Sequence, residues 1–405
     1  MIVGSSPRDR MGAASALTVD LITPTEHAAA VAGLVAAGRP VSFLQVPAWA
    51  EVKPGWDAES LAWRAADGSV VGTALVLYRK LPVLGRSWAY VPEGPVIDWT
   101  GSELRAWLTP LVAHLRRRRA FAVRIGPPVA RRWWEARTVA AGLVDGDVDR
   151  LGDLASDGFD VAAGDAQAQL HDLGWVPAPG NVLARGPDRP TGGFAAGQPQ
   201  YVFEVPTQGR SREDLLAGLG RAWRRNLRVA QRHGVEVRPG DVEGLEVFHA
   251  LYRETAEREG FVPRPLSYFR GLWAAFADAP PGVGVRLYLA HPPGCEPQAA
   301  ALAIWVGRHY WYVYGGSVTA GRSTKPSNAV QWRMMCDACD LGADVYDLRG
   351  IGDALDPDGP LAGLTRFKIG SGGRAVEYLG EWDLPLNRPL YRAFVTHLAR
   401  RAAAP

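Results

Sequence analysis

Three times this chain runs a helical pattern into a single glycine and leaves it as a strand, at Gly174, Gly234 and Gly342. A glycine takes the left-handed turn that ends a helix at no steric cost, so each junction marks a compact α-to-β reversal. The first lies just ahead of the most Pro- and Gly-rich stretch, Pro177–Pro199, and the other two lie beyond it. In 405 residues, that division matches two successive units with cores of their own. The expected fold class is α/β (α+β), in two related units at 18–198 and 199–381, with residues 1–17 a disordered extension.

In the first unit, residues 25–37 read as a helix closed by Gly38, and Val70–Leu77 and Ser87–Val91 as strands separated by turn chemistry at Pro82 and Gly85. Ser102 is placed to cap a helix carrying Leu104, Leu108, Leu111 and Leu115, with strand Ala120–Ile125 behind it. Residues 139–165 turn Gly/Asp-rich and aperiodic and read as an exposed excursion. The second unit opens with strand Tyr201–Val205 and one long helix, Arg212–His233, with Leu215, Leu219 and Ala222 inward. Helices follow at 241–258, 265–278 and 326–341, and strands at 235–237, 284–291, 298–306, 309–314 and 345–348. The amphipathic Pro389–Arg401 is a final helix.

Composition narrows the class of protein. Lys+Arg minus Asp+Glu is 45 − 42 = +3, with 47% hydrophobic residues, which is neither a polybasic nor an acidic disordered chain. Three cysteines exclude a disulfide framework. No apolar run is long enough to span a membrane, and Met1–Leu17 lacks the apolar core of a signal peptide, so a cytoplasmic protein is expected. No P-loop, dinucleotide fingerprint, Gly-x-Ser-x-Gly elbow or His-x-x-x-His pair is present, which argues against NTPases, serine hydrolases and metallohydrolases. Cys336-x-x-Cys339 has metal-pair spacing, but it lies in a helix with no histidine near it and reads as buried packing. No metal or cofactor is expected.

Three features carry chemistry. Only four of the 45 cations are lysines (Lys53, Lys80, Lys325 and Lys368), so in this Arg-rich chain a lysine marks a place where a compact ammonium is wanted. Arg221, Arg225, Arg228 and Arg232 form a stripe at i, i+4, i+7 and i+11 with Arg224 beside it. Such a stripe is either a phosphate-binding face suited to RNA or a pyrophosphate, or a solvated helix face. The densest stretch is Tyr310–Lys368. There the aromatic strand 310–314 runs into Gly315-Gly316, where phenols line a cleft and the glycines let a ligand approach the backbone. Asp347 and Arg349 fall two apart on one strand face, and Phe367 precedes Lys368. Each reads alone as core packing with a structural ion pair; together they read as a site.

The residues resemble the Fem family of aminoacyl-tRNA-dependent peptidyltransferases of peptidoglycan cross-bridge formation. The likeness runs in order from about residue 40 to 395. It rests on Phe43-Leu44-Gln45 through Lys53, Gly94-Pro95-Val96, Arg225-Asn226-x-x-x-Ala230-x-x-x-Gly234-Val235 and Gly260-Phe261-x-x-Arg264-Pro265-x-x-Tyr268-Phe269. Tyr314-Gly315-Gly316-Ser317, Tyr346-Asp347-x-x-Gly350-Ile351 and Leu364-x-x-Phe367-Lys368 complete it. The resemblance implies two tandem GNAT-like domains, the first completed by a C-terminal helix at about 382–402, without the coiled-coil arm of some members. It implies that Lys53, Arg264 and Tyr268 hold the phosphates of a lipid- or nucleotide-linked muropeptide. Lys368, behind Phe367, then faces the ester at the tRNA 3′ end, and Tyr314 is a site tyrosine. Gly315, Gly316 and Arg349 join the substrate-binding set, and the arginine stripe holds tRNA. Where many relatives carry an acidic residue before a proline, this chain has Gly126-Pro127.

The expected reaction is aminolysis of the aminoacyl ester by a side-chain amine, with glycine as the expected donor residue. The ester is already activated, so no covalent nucleophile is needed. Tyr314, Asp347 or the tRNA ribose hydroxyl takes the amine proton. Partners are then aminoacyl-tRNA and a muropeptide or peptide-like acceptor, with transient contact at the inner membrane face and no DNA. Three rivals remain at this point. One acylates a peptide-like natural product. One is an acyl-CoA N-acyltransferase, for which Gln231-Arg232-His233-Gly234-Val235-Glu236 starts like a pyrophosphate turn but ends in a glutamate. One is a non-catalytic RNA-binding protein.

Overall fold

A computed structural model describes residues 17–403, apart from 82–83, 102, 146–147, 179–196 and 360. The expected extension 1–17 (save Leu17), the Pro82 turn, the Ser102 cap and most of the Pro177–Pro199 linker therefore lie outside the described residues. In chain order the first elements are β1 (Thr18–Ile22), α1 (Pro24–Ala36), α2 (Ala48–Glu51), β2 (Asp57–Arg64), β3 (Val70–Leu81), β4 (Arg86–Val91), α3 (Leu104–Arg117) and β5 (Ala120–Ile125). Next come β6 (Ala130–Glu135), α4 (Ala136–Asp145), β7 (Gly158–Phe159), α5 (Val161–Asp172), β8 (Val176–Pro177) and β9 (Tyr201–Pro206). Then follow α6 (Arg212–Gly218), α7 (Arg221–Arg232), β10 (Glu236–Gly240), α8 (Gly244–Glu259), α9 (Leu266–Ala277), β11 (Val283–His291), β12 (Ala299–Val306) and β13 (His309–Ser317). The chain ends with α10 (Pro326–Asp340), β14 (Val345–Gly350), α11 (Ala362–Ile369), β15 (Arg374–Tyr378), β16 (Trp382–Pro385) and α12 (Arg388–Ala403). Gly174, Gly234 and Gly342 all have positive φ, as the helix–glycine–strand junctions require.

Two sheets organise the molecule. The first has strand order β1-β2-β3-β4-β5-β16-β8 and the second β10-β11-β12-β13-β14-β9-β15-β6-β7. Each carries one parallel pair in an otherwise antiparallel run, β4 with β5 and β13 with β14, and each pair is bridged by one long helix, α3 or α10. That shared pattern makes the lobes related units. Helix α12 returns to the first sheet, where Phe394 packs edge-on against Phe121 and close to Trp88. β16 carries Asp383, whose buried carboxylate takes both arms of the Arg124 guanidinium at 2.7 and 2.8 Å.

Three expectations change. The strands β6 and β7 lie in the second sheet, so residues 130–159 cross to the lobe expected to begin at 199. The stretch 139–165 is no exposed excursion: α4 buries Val139 and Leu143 in the second core, with Leu151 beside them. Gly142 hides the helical period there, because a Cβ at that position would meet Leu355 and Leu154 at 3.0 and 3.1 Å. The expected single helix 212–233 breaks at Leu219-Gly220, where both ψ angles are extended and the Gly220 N–H goes to the Gly370 oxygen at 2.9 Å. The break resets the helical phase, so Trp223 rather than Ala222 is buried. With Ser102 outside the described residues, α3 starts at Leu104, whose N–H is satisfied by Gln169 of α5 at 2.9 Å.

Candidate active site

Lys53 and Arg264 approach each other from different lobes. Lys53 follows α2, with its ammonium 4.8 Å from the Trp49 ring centre. Arg264 precedes α9 and lies over the Tyr268 ring at 4.6 Å. The Tyr268 hydroxyl is hydrogen-bonded to that of Tyr314 at 2.9 Å. Burial, and then the like charge of Arg264, push the Lys53 ammonium down to about 8. Burial raises the Tyr268 phenol well above its ordinary value, which keeps it a neutral donor. Among the described residues, neither cation forms an ion pair with a carboxylate. Two adjacent cations that repel each other and face no carboxylate fit a bound phosphate or pyrophosphate.

Tyr314 reaches this cluster because β13 is irregular. The β12–β13 register slips between Leu302 and Ala303, where Val313 is skipped. Upstream of the bulge Tyr310 and Tyr312 turn into the second core, and the Tyr310 hydroxyl meets that of Tyr288 at 2.5 Å. Trp311 and Val313 pack instead toward the first lobe, and Tyr314 packs against Tyr252 of α8 and Tyr268 and Phe269 of α9. The expected row of cleft phenols is therefore one tyrosine. The glycines behind it serve packing: a Cβ at Gly316 would meet the Tyr252 nitrogen of α8 at 2.5 Å, and one at Gly315 would overlap the Tyr312 hydroxyl.

Lys368 is 4% exposed, on the buried face of α11. Its ammonium donates to the main-chain oxygens of Arg349 and Gly350 at 3.2 and 2.5 Å. Phe367 stacks obliquely on Trp223, with ring centres 5.0 Å apart. The arginine stripe belongs to the same body, since Trp223 lies in α7 and Arg221, Arg225, Arg228 and Arg232 are on that helix, all four exposed. Arg224 is half-buried and donates to the Ala217 oxygen at 2.7 Å.

A cavity opens between the lobes, lined by Glu93, Gln198, His309, Asp347, Arg349 and Glu381 among others. Asp347 and Arg349 both line this cavity, as one strand face requires, while Tyr346 and Leu348 turn into the second core, but the two form no ion pair with each other among the described residues. Arg349 instead spans the lobes, donating to Glu93 and to Gln198, each at 2.9 Å. Burial works against the Asp347 charge, yet His309 and Arg349 hold its carboxyl below the usual range. Its cross-strand neighbour Glu204 is raised, by burial and by the Asp347 charge. Glu381 is raised to about 7 by burial, against the pull of Arg124, Tyr90 and the Gln198 N–H.

Phe43 connects cavity and cation cluster: Arg349 lies over its ring at 5.5 Å, and its edge meets Trp49, which carries Lys53. Lys368 itself does not line the cavity; it stands behind Arg349, under the end of β14. Sequence reasoning missed Glu93, Gln198, His309 and Glu381. Only Glu93 had a signal, its place beside Gly94-Pro95, where Gln45 packs so closely that a Cβ on Gly94 would overlap its side-chain amide.

Among the described residues no group of His, Cys, Asp or Glu could hold a metal ion. Burial pushes the Cys336 thiol up to about 11, and Cys339 Sγ contacts the Arg210 oxygen at 3.0 Å, so this pair is packing. The pyrophosphate-turn rival also fails on geometry. Gly234 closes the C-terminal end of α7, and the N–H groups of Gly234 and Val235 are used by the oxygens of Gln231 and Ala230. A phosphate cradle needs a helix N-terminus with its N–H groups available.

The profile of the FemAB family matches residues 35–142, 188–282 and 293–398. The Lipid II:glycine glycyltransferase of Staphylococcus aureus (strain USA300) is 26% identical over 422 aligned positions, covering 86% of this chain and 89% of that one. The crystal structure of FemX superposes with a TM-score of 0.73 at 25% identity, covering 93% of this chain and 99% of its own. A conserved protein of unknown function from Bacteroides thetaiotaomicron VPI-5482 shares the fold, with a TM-score of 0.50 at 11% identity over 90% of this chain and 98% of that one. The two lobes share the fold of FemX, and the chain belongs to the FemAB family of aminoacyltransferases.

Proposed function

We propose that this protein transfers glycine from charged tRNA to a side-chain amine of a lipid-linked peptidoglycan precursor. The observation that carries the reading is the Lys53–Arg264 pair, two cations from two lobes with no carboxylate of the described residues between them. An acceptor bearing a pyrophosphate would bridge them and so span the cleft. The S. aureus glycyltransferase, similar along nearly the whole chain, favours lipid II and glycine.

The chemistry asked of the protein is modest. The acceptor nitrogen forms a bond to the ester carbon, negative charge develops on the carbonyl oxygen, and the C–O bond to the ribose breaks. The amine proton ends on the departing ribose oxygen. Positioning two substrates supplies up to about 7–11 kcal/mol when they are well oriented. A fixed, desolvated ammonium at Lys368 would stabilise the developing charge by a few kcal/mol more. Asp347 stays ionised in the cavity and suits accepting a hydrogen bond from the incoming neutral amine, orienting its lone pair, better than taking its proton. The arginines of α7 would hold the tRNA backbone, tied to Lys368 through Trp223.

The test is incubation with a charged tRNA pool and either a lipid-linked or a nucleotide-linked muropeptide, read by mass. The expected product is the lipid-linked precursor plus one glycyl residue in amide linkage. No adduct on either muropeptide, or the same adduct from an acyl-CoA alone, contradicts the reading.

A further inference from the structure

Strand β14 leaves its ladder at Arg349. Pairing with β9 slips between Asp347 and Gly350, and Arg349 sits at φ 62°. A long side chain rarely takes this backbone, which persists only where its surroundings hold it. The oxygens presented by this turn, those of Arg349 and Gly350, are the ones that receive the Lys368 ammonium.

Two carboxylates hold the turn. Asp347 accepts the Arg349 N–H within the strand. Glu93 comes from the other lobe, just after β4, and its Oε1 accepts from Arg349 Nη1 at 2.9 Å. Its Oε2 accepts from the Ser42 hydroxyl at 2.6 Å, and its own φ is 46°. The Arg349 and Glu93 side chains are only 17% and 18% exposed, so the pair is shielded from screening. Arg349 thus stands between Glu93 and Lys368, bonded to the first by its guanidinium and to the second by its main-chain oxygen.

We propose that Glu93 is a positioning residue for Lys368, acting through Arg349 to fix the backbone oxygens that hold the ammonium. The inference rests on Lys368 facing the reacting ester. Without the Glu93 charge, the shielded Arg349 guanidinium loses the carboxylate bonded to it and is drawn to solvent. The turn then relaxes to an ordinary φ and its oxygens swing away from the ammonium. A displaced ammonium fails only the charge that appears in the transition state, so the loss falls on kcat. Acceptor affinity, set at Lys53 and Arg264, stays put.

The test compares kcat per folded enzyme and acceptor KM for Glu93→Gln, Glu93→Asp, Lys368→Met and the Glu93→Gln/Lys368→Met double variant, with thermal unfolding of each. Glu93→Gln should lower kcat about tenfold and leave KM within about twofold. Glu93→Asp keeps the charge, takes positive φ more readily, and should recover most of the rate. In the double variant the group being positioned is gone, so Glu93→Gln should cost less than about twofold further. If Glu93→Gln does not fold, Ser42→Ala, which removes one partner of the same carboxylate, should show the same kcat-only loss at about threefold. Wild-type kcat in Glu93→Gln or its substitute beside an inactive Lys368→Met overturns this proposal alone. A further tenfold loss in the double variant also overturns it. Wild-type turnover in Lys368→Met overturns both this proposal and the reading beneath it.

Discussion

The Trp223 indole nitrogen donates to the main-chain oxygen of Phe367 at 2.8 Å, and the two rings pack with centres 5.0 Å apart. One residue therefore locks the helix that carries the arginine stripe to the helix that carries Lys368. Gly220, at the start of α7, adds a second tie through the Gly370 oxygen. RNA bound along the stripe, as proposed, would thereby be held in register with the ammonium.

Trp223→Phe keeps an aromatic ring in the core and removes the N–H. It should cost about 1 kcal/mol in denaturant unfolding. Its kcat should fall by more than the small loss of folded protein explains. Trp223→Ala empties a buried site and should cost about 3–5 kcal/mol. An unchanged kcat in Trp223→Phe would mean that the tie has no part in turnover.

The stripe should show itself in the salt dependence of tRNA binding. None of Arg221, Arg225, Arg228 and Arg232 forms an ion pair among the described residues. Changing any one to Gln should weaken tRNA binding at every sequence tested. It should also flatten the slope of log K against log salt by about 0.7–0.9 for each phosphate no longer neutralised. A slope identical to wild type in all four single variants would assign the stripe to solvent.

Lys53 sets an alkaline limit. Its ammonium is held down to about 8, so it loses its charge as pH rises through that value in the free enzyme. Acceptor KM should rise above about pH 8 while kcat at saturation stays level, because bound phosphate restores the proton. In Lys53→Arg the rise should disappear, since a guanidinium does not titrate there. A KM independent of pH from 7 to about 9.5 in the wild type would remove Lys53 from phosphate binding.

His27 gives the fold its own acid sensitivity. It is fully buried against the Ser60 hydroxyl at 2.8 Å, and burial pushes it down to about 4. The unfolded chain binds a proton near pH 6.5 that the folded chain refuses until about pH 4. Stability should therefore be full above pH 6.5 and fall by on the order of 3 kcal/mol as pH drops to 4. Denaturant unfolding of His27→Gln across that window should lack most of this slope; an equal slope would place the acid sensitivity elsewhere.

Most of the fold was legible because its signals are local. Leu104, Leu108, Leu111 and Leu115 all reach the core, and the three helix–glycine–strand junctions all turn at positive φ. What stayed hidden depends on partners distant in sequence. Leu219-Gly220 breaks a helix where the Gly370 oxygen takes the Gly220 N–H and the Phe367 oxygen takes the Trp223 indole N–H one turn on, and no neighbour in sequence announces that. The bulge at Val313, which sends Tyr314 away from Tyr310 and Tyr312, is set by pairing to β12. For the site, the rare lysines and the motif residues pointed to Lys53, Arg264, Tyr268 and Lys368. The cavity residues Glu93, Gln198, His309 and Glu381 converge from both lobes, and no spacing along the chain encodes that convergence.

In the proposed reaction the ammonium of Lys368, held under the end of β14, acts on the reacting ester. The most direct measurement is single-turnover transfer from enzyme-bound glycyl-tRNA to saturating lipid-linked precursor in Lys368→Met, with both substrate affinities determined separately. Amide formation should slow by about 10²–10³ with affinities unchanged and the protein folded. Transfer at the wild-type rate by that variant would contradict a role for this ammonium in the chemical step.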